Sequence, residues 1–566
     1  MDNYQIADTF SLLSKLMDIH GENSFKVKSY AAAAFAIEKL PMQLSELAPE
    51  KRAAIKGIGD TINKRVTELL NTGQLTQLTE IIAQTPPGVL EMLSIKGIGP
   101  KKIAIIWKEL AIETLGELLY ACYENRLTRY KGFGEKTQKN IQESIEFYFG
   151  TLGSYLYQQI ETFAHALQSV LSKAFPLQTF AITGQFRRQL PVIEQLEWVT
   201  TTPVNDLLSF FATHQYQVIS QTNNFTALKG TENVTLHFYH CTPAIFGNQL
   251  FETTGSPAFL TAWKQLIGDY QLYANTGFES NLFKTAGISF IPPQQREDGD
   301  IIMEAKKQIA LPTLIVPKDI KGIIHSHSNW SDGSNTIETM AESAIAQGYQ
   351  YLVLSDHSKS AFYAQGLPVE KILAQHDAIN HLNQQWPNGT FKIFKSIESD
   401  ILSDGQLDYD EAILATFDLV IASIHSNLKM NEEKAMQRLL AAIENPYTSI
   451  LGHLTGRLLL SRAGYPVDHQ KIIDACAANQ VVIELNAHPR RLDIDWQWIK
   501  KAIDKQVLIS INPDAHSIEG YQDCKYGVLV AQKAGLTSEN NLSSFDLHQM
   551  EAFISLQQKK RPYNSQ

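Results

Sequence analysis

Ile320-Lys321-Gly322-Ile323-Ile324-His325-Ser326-His327-Ser328-Asn329-Trp330-Ser331-Asp332-Gly333 decides how this chain is read. A short apolar run reads as a strand that ends on two histidines, with an Asp-Gly turn close behind. Alternate side chains of a strand share a face, so both imidazoles of His-x-His are expected on one side, where they can share an ion. The same grammar recurs downstream. Apolar runs at 351–355, 391–396, 419–424, 449–452, 481–485 and 507–511 alternate with helical stretches such as 336–347 and 369–384. Seven strands interleaved with helices predict a parallel α/β barrel, whose chemistry sits at the C-terminal ends of its strands.

Metal-type residues stand at those ends. Asp332 follows the first pair, then come His357, Glu398, His425, His453 and the Asp514-Ala515-His516 run. With His325 and His327 they make nine nitrogen and oxygen donors, too many for one ion and suited to two or three. Without cysteine in the set, zinc, manganese and iron are all acceptable. Adjacent ions acidify water and stabilise attacking and leaving oxygens, so phosphoester hydrolysis is expected. A lone histidine is more often a packed or surface residue, and His376, His381, His469 and His548 are expected to be that. The chain has 16 histidines and 11 of them lie after residue 320, so composition agrees with the spacing.

The N-terminal part carries a different repeat. Ile55-Lys56-Gly57-Ile58-Gly59, Ile95-Lys96-Gly97-Ile98-Gly99 and Tyr130-Lys131-Gly132-Phe133-Gly134 each precede a helix-like stretch. Glycines let backbone N–H groups approach a phosphate, and the following helix aims its N-terminus there. Such contacts position a protein on nucleic acid without reading sequence. They need no strong positive charge, and residues 1–150 carry 18 basic and 18 acidic side chains.

Composition excludes other classes. Lys+Arg 49 against Asp+Glu 59 gives −10, which argues against a protein held on DNA by bulk charge. At 566 residues, 44% hydrophobic and 19% charged, the chain is globular and has several domains. No apolar run is long enough for a membrane span, and Met1-Asp2-Asn3-Tyr4 carries no leader pattern. Cys122, Cys241, Cys476 and Cys524 are too scattered for a disulfide framework or a zinc site, so a cytoplasmic protein is expected. Between the two ends, 179–183 and 234–239 read as strands around a helical 204–214, followed by a mixed 246–300.

The C-terminal motifs together resemble the PHP (polymerase and histidinol phosphatase) domain. They are His-x-His-x4-Asp-Gly, Asp356-His357-Ser358, Glu398-x-Asp400-Ile401-x-x-Asp404-Gly405, Ser423-x-His425, Gly452-His453-x-Thr455-Gly456-Arg457, Glu484-x-Asn486, Arg491-Leu492-Asp493 and Asp514-Ala515-His516-Ser517. The resemblance implies a (β/α)7 barrel holding three ions on the nine residues, with Arg457 and Arg491 facing the substrate as catalytic groups. A guanidinium suits phosphate by bidentate contact. The Lys-Gly-Ile-Gly repeats resemble helix-hairpin-helix modules, which implies DNA-backbone contact at Gly57, Gly59, Gly97, Gly99, Gly132 and Gly134.

The order of the parts resembles bacterial family X DNA polymerases. That implies a small helical domain over 1–85 and a fingers-like domain over 86–150. A nucleotidyltransferase-like palm would cover 151–245 and a thumb-like domain 246–300. A linker over 301–319 would lead to the PHP domain over 320–566. Thr183-Gly184-Gln185-Phe186-Arg187-Arg188 resembles the family's nucleotide-phosphate element, which makes Gly184, Arg187 and Arg188 its degenerate nucleotide-binding residues. Thr254-Gly255-Ser256 resembles its Thr-Gly-Ser turn. The catalytic Asp-x-Asp pair becomes Gln195 and Glu197, and the third acid falls near Thr235. One carboxylate cannot bridge two Mg²⁺ ions, so no Mg²⁺ pair is expected in the palm and polymerase activity is expected to be lost. The expected function is a monomeric, manganese- or zinc-dependent 3′→5′ exonuclease of DNA repair. Its partner would be gapped, nicked or 3′-ended DNA, duplex or single-stranded. Two alternatives stay open: an active gap-filling polymerase with a PHP nuclease, and a small-molecule phosphatase on a DNA-binding scaffold.

Overall fold

Gly57, Gly97 and Gly132 adopt φ of +98°, +92° and +97°, the left-handed region that side chains resist. The turns around them are alike. Ile58 N–H donates to Ile55 O, Ile98 N–H to Ile95 O and Phe133 N–H to Tyr130 O, at 2.9, 3.3 and 3.1 Å. Ile58, Ile98 and Phe133 are buried and hold each turn to the core. Helices Asp60–Thr72, Pro100–Lys108 and Glu135–Gly150 leave from them, with Gly59 and Gly99 as the N-caps of the first two. A computed structural model describes residues 1–562 apart from 2, 39, 41, 56, 151–152, 231–232, 270–275, 308–309 and 388. Lys56 of the first repeat therefore lies outside the described residues. The chain divides into two units, Met1–Tyr123 with Leu127–Glu146, and Glu124–Arg126 with Phe147–Gln566.

In the second unit the helix Tyr157–Ala174 is followed by a five-stranded sheet. Its strands are β1 (Phe180–Thr183), β2 (Gln195–Thr200), β3 (Gln217–Gln221), β4 (Phe225–Lys229) and β5 (Thr235–His240), in the order β1-β2-β5-β4-β3. Only β2 and β5 are parallel, with Gln195 opposite Thr235 and Glu197 opposite His237. Trp198 stacks on Phe238 at 5.3 Å in the core beneath. The sequence reading found β1 and β5 and missed the rest. β3 is exposed along its whole length and β2 is buried on both faces, so neither shows the alternation that marks a half-buried strand.

Helices Phe246–Thr254, Pro257–Leu266, Glu279–Ala286 and Asp300–Lys307 follow, around Phe251, Phe259, Trp263 and Phe283. This corrects the expected linker. Its first residues form the last of these helices, because Ile301, Ile302 and Ala305 make an apolar face that packs into that core.

The barrel contains every strand the sequence predicted: β6 (Gly322–Ile323), β7 (Tyr351–Leu354), β8 (Lys392–Asp400), β9 (Leu419–Ser423), β10 (Ile450–Leu451), β11 (Val482–Asn486) and β12 (Ile509–Asn512). They are parallel and neighbours in chain order. Alternate residues feed two cores. Leu352 and Leu354 join the larger one, while Tyr351 and Val353 join one shared with the helix Leu547–Lys559. Beyond the ends of β6 and β12, Ser326 and Ala515 form a parallel bridge that draws the first and last strands together. His327 N–H donates to Ala515 O at 2.8 Å, and Ala515 N–H donates to His325 O at 3.2 Å.

That bridge corrects one expectation. His325 and His327 lie past β6, and His325 takes φ +64°. The two imidazoles therefore flank the bridged Ser326 rather than standing on β6, with ring centroids 5.3 Å apart. Among the described residues no helix is long and apolar enough to cross a membrane.

Candidate metal centre

The loops and strand ends at one end of the barrel deliver all nine predicted donors to one place. One atom from each of His325, His327, Glu398 and Asp514 lies within 4.8 Å of the others. The same spacing holds for His327, Asp332, His357 and His516, and for His357, Glu398 and His425. His453 joins through Nε2, 3.0 Å from Glu398 Oε1. Glu398 is the hub, with Oε1 3.2 Å from His325 Nε2 and from His425 Nε2, and Oε2 3.0 Å from His357 Nδ1.

The donor set fits divalent cations. His325 Nε2, His327 Nδ1, Asp332 Oδ2, both nitrogens of His357, Glu398 Oε2, His453 Nδ1 and His516 Nε2 are buried with no hydrogen-bond partner. Such orphans are rare in folded proteins, and so many in one cluster point to a ligand that takes lone pairs. Three overlapping clusters of nitrogen and carboxylate oxygen suit up to three ions.

Charge agrees with geometry. Burial disfavours ionised Glu398, but the imidazoles of His425, His325 and His357 outweigh it and hold its carboxyl well below the usual range. Burial, reinforced by His516 and His357, pushes His327 down to about 4, so its lone pairs are available at neutral pH. For His425 burial is outweighed by Glu398 and Asp400, which push it up to about 10. Protons and cations compete for such nitrogens.

Two residues quoted in the motifs were given no role by sequence reasoning. Asp400 Oδ1 accepts from His425 Nδ1 at 2.5 Å, and Glu484 Oε2 accepts from His325 Nδ1 at 2.6 Å. A carboxylate on the far nitrogen fixes the ring and its tautomer. The signal was present, since Glu398 and Asp400 are two apart on one strand and so share a face. Replacing Asp400 with Asn is expected to weaken metal affinity or hydrolysis by about 10–100-fold, measured by manganese titration and steady-state rates.

The two expected substrate arginines part company. Arg491 is buried, with Nε 3.7 Å from Asp514 Oδ2, at the edge of the donors. Arg457 instead donates to Asp495 Oδ2 at 2.8 Å, to Arg491 O at 3.0 Å and to Leu492 O. Its guanidinium braces the segment that carries Arg491, a different role from the expected one. His376 and His469 lie on helices, the latter stacked on Trp498 at 4.4 Å.

At the palm-like sheet, the phosphate-type groups are occupied by the chain's own acids. Gly184 has φ +63°, and a Cβ there would lie 1.6 Å from Glu197 Oε2. Gln185 N–H donates to that oxygen at 3.2 Å, and Tyr239 Oη donates to the other at 3.0 Å. Arg187 forks onto Glu279 at 2.9 and 2.7 Å. Arg188 Nε donates to Glu297 at 3.1 Å, which Lys533 also holds at 2.7 Å. The strand register puts Thr235 and His237 beside Gln195 and Glu197, and neither is a carboxylate.

Comparison with known proteins gives three family matches: a helix-hairpin-helix domain over residues 1–75, a SAM-like helix-hairpin-helix tandem over 89–146, and a PHP domain over 324–488. The DNA polymerase/3′-5′ exonuclease PolX of Bacillus subtilis (strain 168) is 32% identical over 581 residues, covering 98% of this chain and 99% of that protein. A probable phosphatase of Thermoanaerobacter sp. (strain X514) is 26% identical over 237 residues, covering 38% of this chain and 93% of that protein.

Proposed function

The chain belongs to the PolX family of DNA polymerase/3′-5′ exonucleases, and from that premise we propose that it is a DNA-bound 3′→5′ exonuclease of repair whose palm no longer polymerises. The observation that carries the proposal is the cluster of orphaned donors around Glu398, set against a palm whose paired strands β2 and β5 carry a single acid, Glu197. Divalent ions held there, manganese or zinc, would lower the pKa of water and neutralise phosphoryl oxygens. The chain's own residues do the rest. Asp400 and Glu484 orient His425 and His325, Arg457 braces the segment of Arg491, and Arg491 brings a guanidinium to the phosphate. The glycine turns at Gly57, Gly59, Gly97, Gly99, Gly132 and Gly134 present backbone to DNA. We read the second unit as palm-like, thumb-like and PHP parts, a division that its separate hydrophobic cores support. The protein acts as a cytoplasmic monomer on 3′ ends at gaps, nicks or single strands.

Loss of polymerisation is supported by chemistry at the palm. Two Mg²⁺ ions need several shared carboxylates, and Glu197 is the one acid on β2 and β5 and spans the Gly184 turn. Arg187 and Arg188 are already paired with carboxylates. One preparation tests both halves. With His325 and His327 changed to Ala, a 3′-labelled primer in Mn²⁺ is expected to stay intact, and a gapped primer with nucleotides is expected not to grow. Persistent degradation would remove the barrel as the nuclease. Incorporation that disappears on Glu197→Ala would restore the polymerase. The barrel-sized phosphatase relatives favour a second reading, hydrolysis of free phosphomonoesters, which is separated by comparing small esters with DNA.

A further inference from the structure

The loop after β7 carries an aromatic pair that the metal centre does not account for. In the short turn Phe362–Ala364, Phe362 is 86% exposed while Tyr363 turns inward. The Tyr363 ring meets the His357 imidazole edge-on, with centroids 6.2 Å apart and planes at 62°. The guanidinium of Arg126, which groups with this same unit, lies 4.3 Å from the ring centroid. A cation over a tyrosine face holds the ring in place.

The Tyr363 hydroxyl is buried and has no hydrogen-bond partner. Its ring packs against His357, one of the donors, so the phenol stands beside the donor cluster. A buried hydroxyl without a partner is costly, and a fold keeps one where a ligand completes it. None of the nearby acids accepts from it: Asp400 accepts from His425 and Ser360, Glu398 Oε1 from His453, Glu398 Oε2 is itself one of the unpartnered donors to a metal, and Glu124 pairs with Arg126 at 2.5 Å. A neutral phenol is a donor, and what it lacks is an acceptor.

We propose that Tyr363 is a further catalytic residue, whose hydroxyl donates a hydrogen bond to a non-bridging phosphoryl oxygen of the substrate bound at the metal centre, with Arg126 holding the ring. This rests on the reading of the barrel as a phosphoesterase. The phenol transfers no proton; it orients the phosphoryl group. Bis(p-nitrophenyl) phosphate serves as the diester probe and inorganic phosphate as the binding probe.

The test is Tyr363→Phe in the full-length chain loaded with Mn²⁺. Removing only the hydroxyl is expected to lower kcat/KM on the diester by about 10–100-fold, the worth of a hydrogen bond to a charged group. Inorganic phosphate should bind at least severalfold more weakly by calorimetry, with manganese per chain unchanged. Wild-type kcat/KM and phosphate affinity in the variant would overturn the assignment while leaving the phosphoesterase reading intact. Loss of manganese from the variant would overturn it in another way, by showing that Tyr363 acts on His357. A wild-type protein that hydrolyses neither the diester nor DNA would remove the underlying reading, and Tyr363 with it.

Discussion

Replacing Glu398 with Ala is expected to abolish hydrolysis and to lower bound manganese by more than one ion per chain. Glu398 is the carboxylate common to two of the three donor clusters, and its oxygens stand within 3.2 Å of His325, His357, His425 and His453. Its loss removes the shared anion from between His325, His357, His425 and His453 and leaves Asp332 and Asp514 as the remaining carboxylate donors, and two adjacent dications are held poorly without the carboxylate they share. The rate should fall well beyond the about hundredfold that an outer partner such as Asp400 is worth. Glu398→Gln keeps the shape and removes the charge, so it should behave like the Ala variant. Elemental analysis of the purified protein, beside primer degradation, checks both. Full metal content in either variant would show that Glu398 is not a shared ligand.

Glu279→Ala is expected to destabilise the second unit by about 3–5 kcal/mol, as removing one partner of a buried ion pair does. Arg296 is fully buried beside Phe251, Phe283 and Phe290, and its Nη1 donates to Glu279 Oε1 at 2.5 Å. Arg187 claims both Glu279 oxygens. Without the carboxylate two guanidinium groups lose their counter-charge. The sign with pH follows. Burial opposes ionised Glu279, but Arg296 and Arg187 outweigh it and hold its carboxyl below the usual range. Its contribution is therefore present above the unfolded carboxyl pKa of about 4.3 and is lost as pH falls through the lower folded value. Urea unfolding at pH 7 and in acid should show a large gap between wild type and variant that closes at low pH. A gap under about 1 kcal/mol at pH 7 would sink this account.

The barrel was legible because its strands are short apolar runs with metal-type residues at their ends. The hairpins were legible because Gly-x-Gly repeats demand a left-handed backbone. What hid was long-range. β2 and β3 carry no half-buried alternation. That His325 and His327 stand past β6, on a bridge to Ala515, is not revealed by their spacing. Arg457 looked like a phosphate clamp by residue type, but Asp495 and two carbonyls are what it meets. Whether an arginine faces ligand or backbone is decided by neighbours more than thirty positions away.

The bridge between Ser326 and Ala515 fixes when the chemistry can begin. His327 and Asp514 are 187 positions apart, and both belong to one donor group. A nascent chain still short of Asp514 has its first histidines but not the last acid that faces them. The centre is therefore assembled late in synthesis, after the N-terminal unit has emerged from the ribosome. A truncated product that retains the glycine hairpins would still carry the surface suited to nucleic acid while lacking the means to cut it.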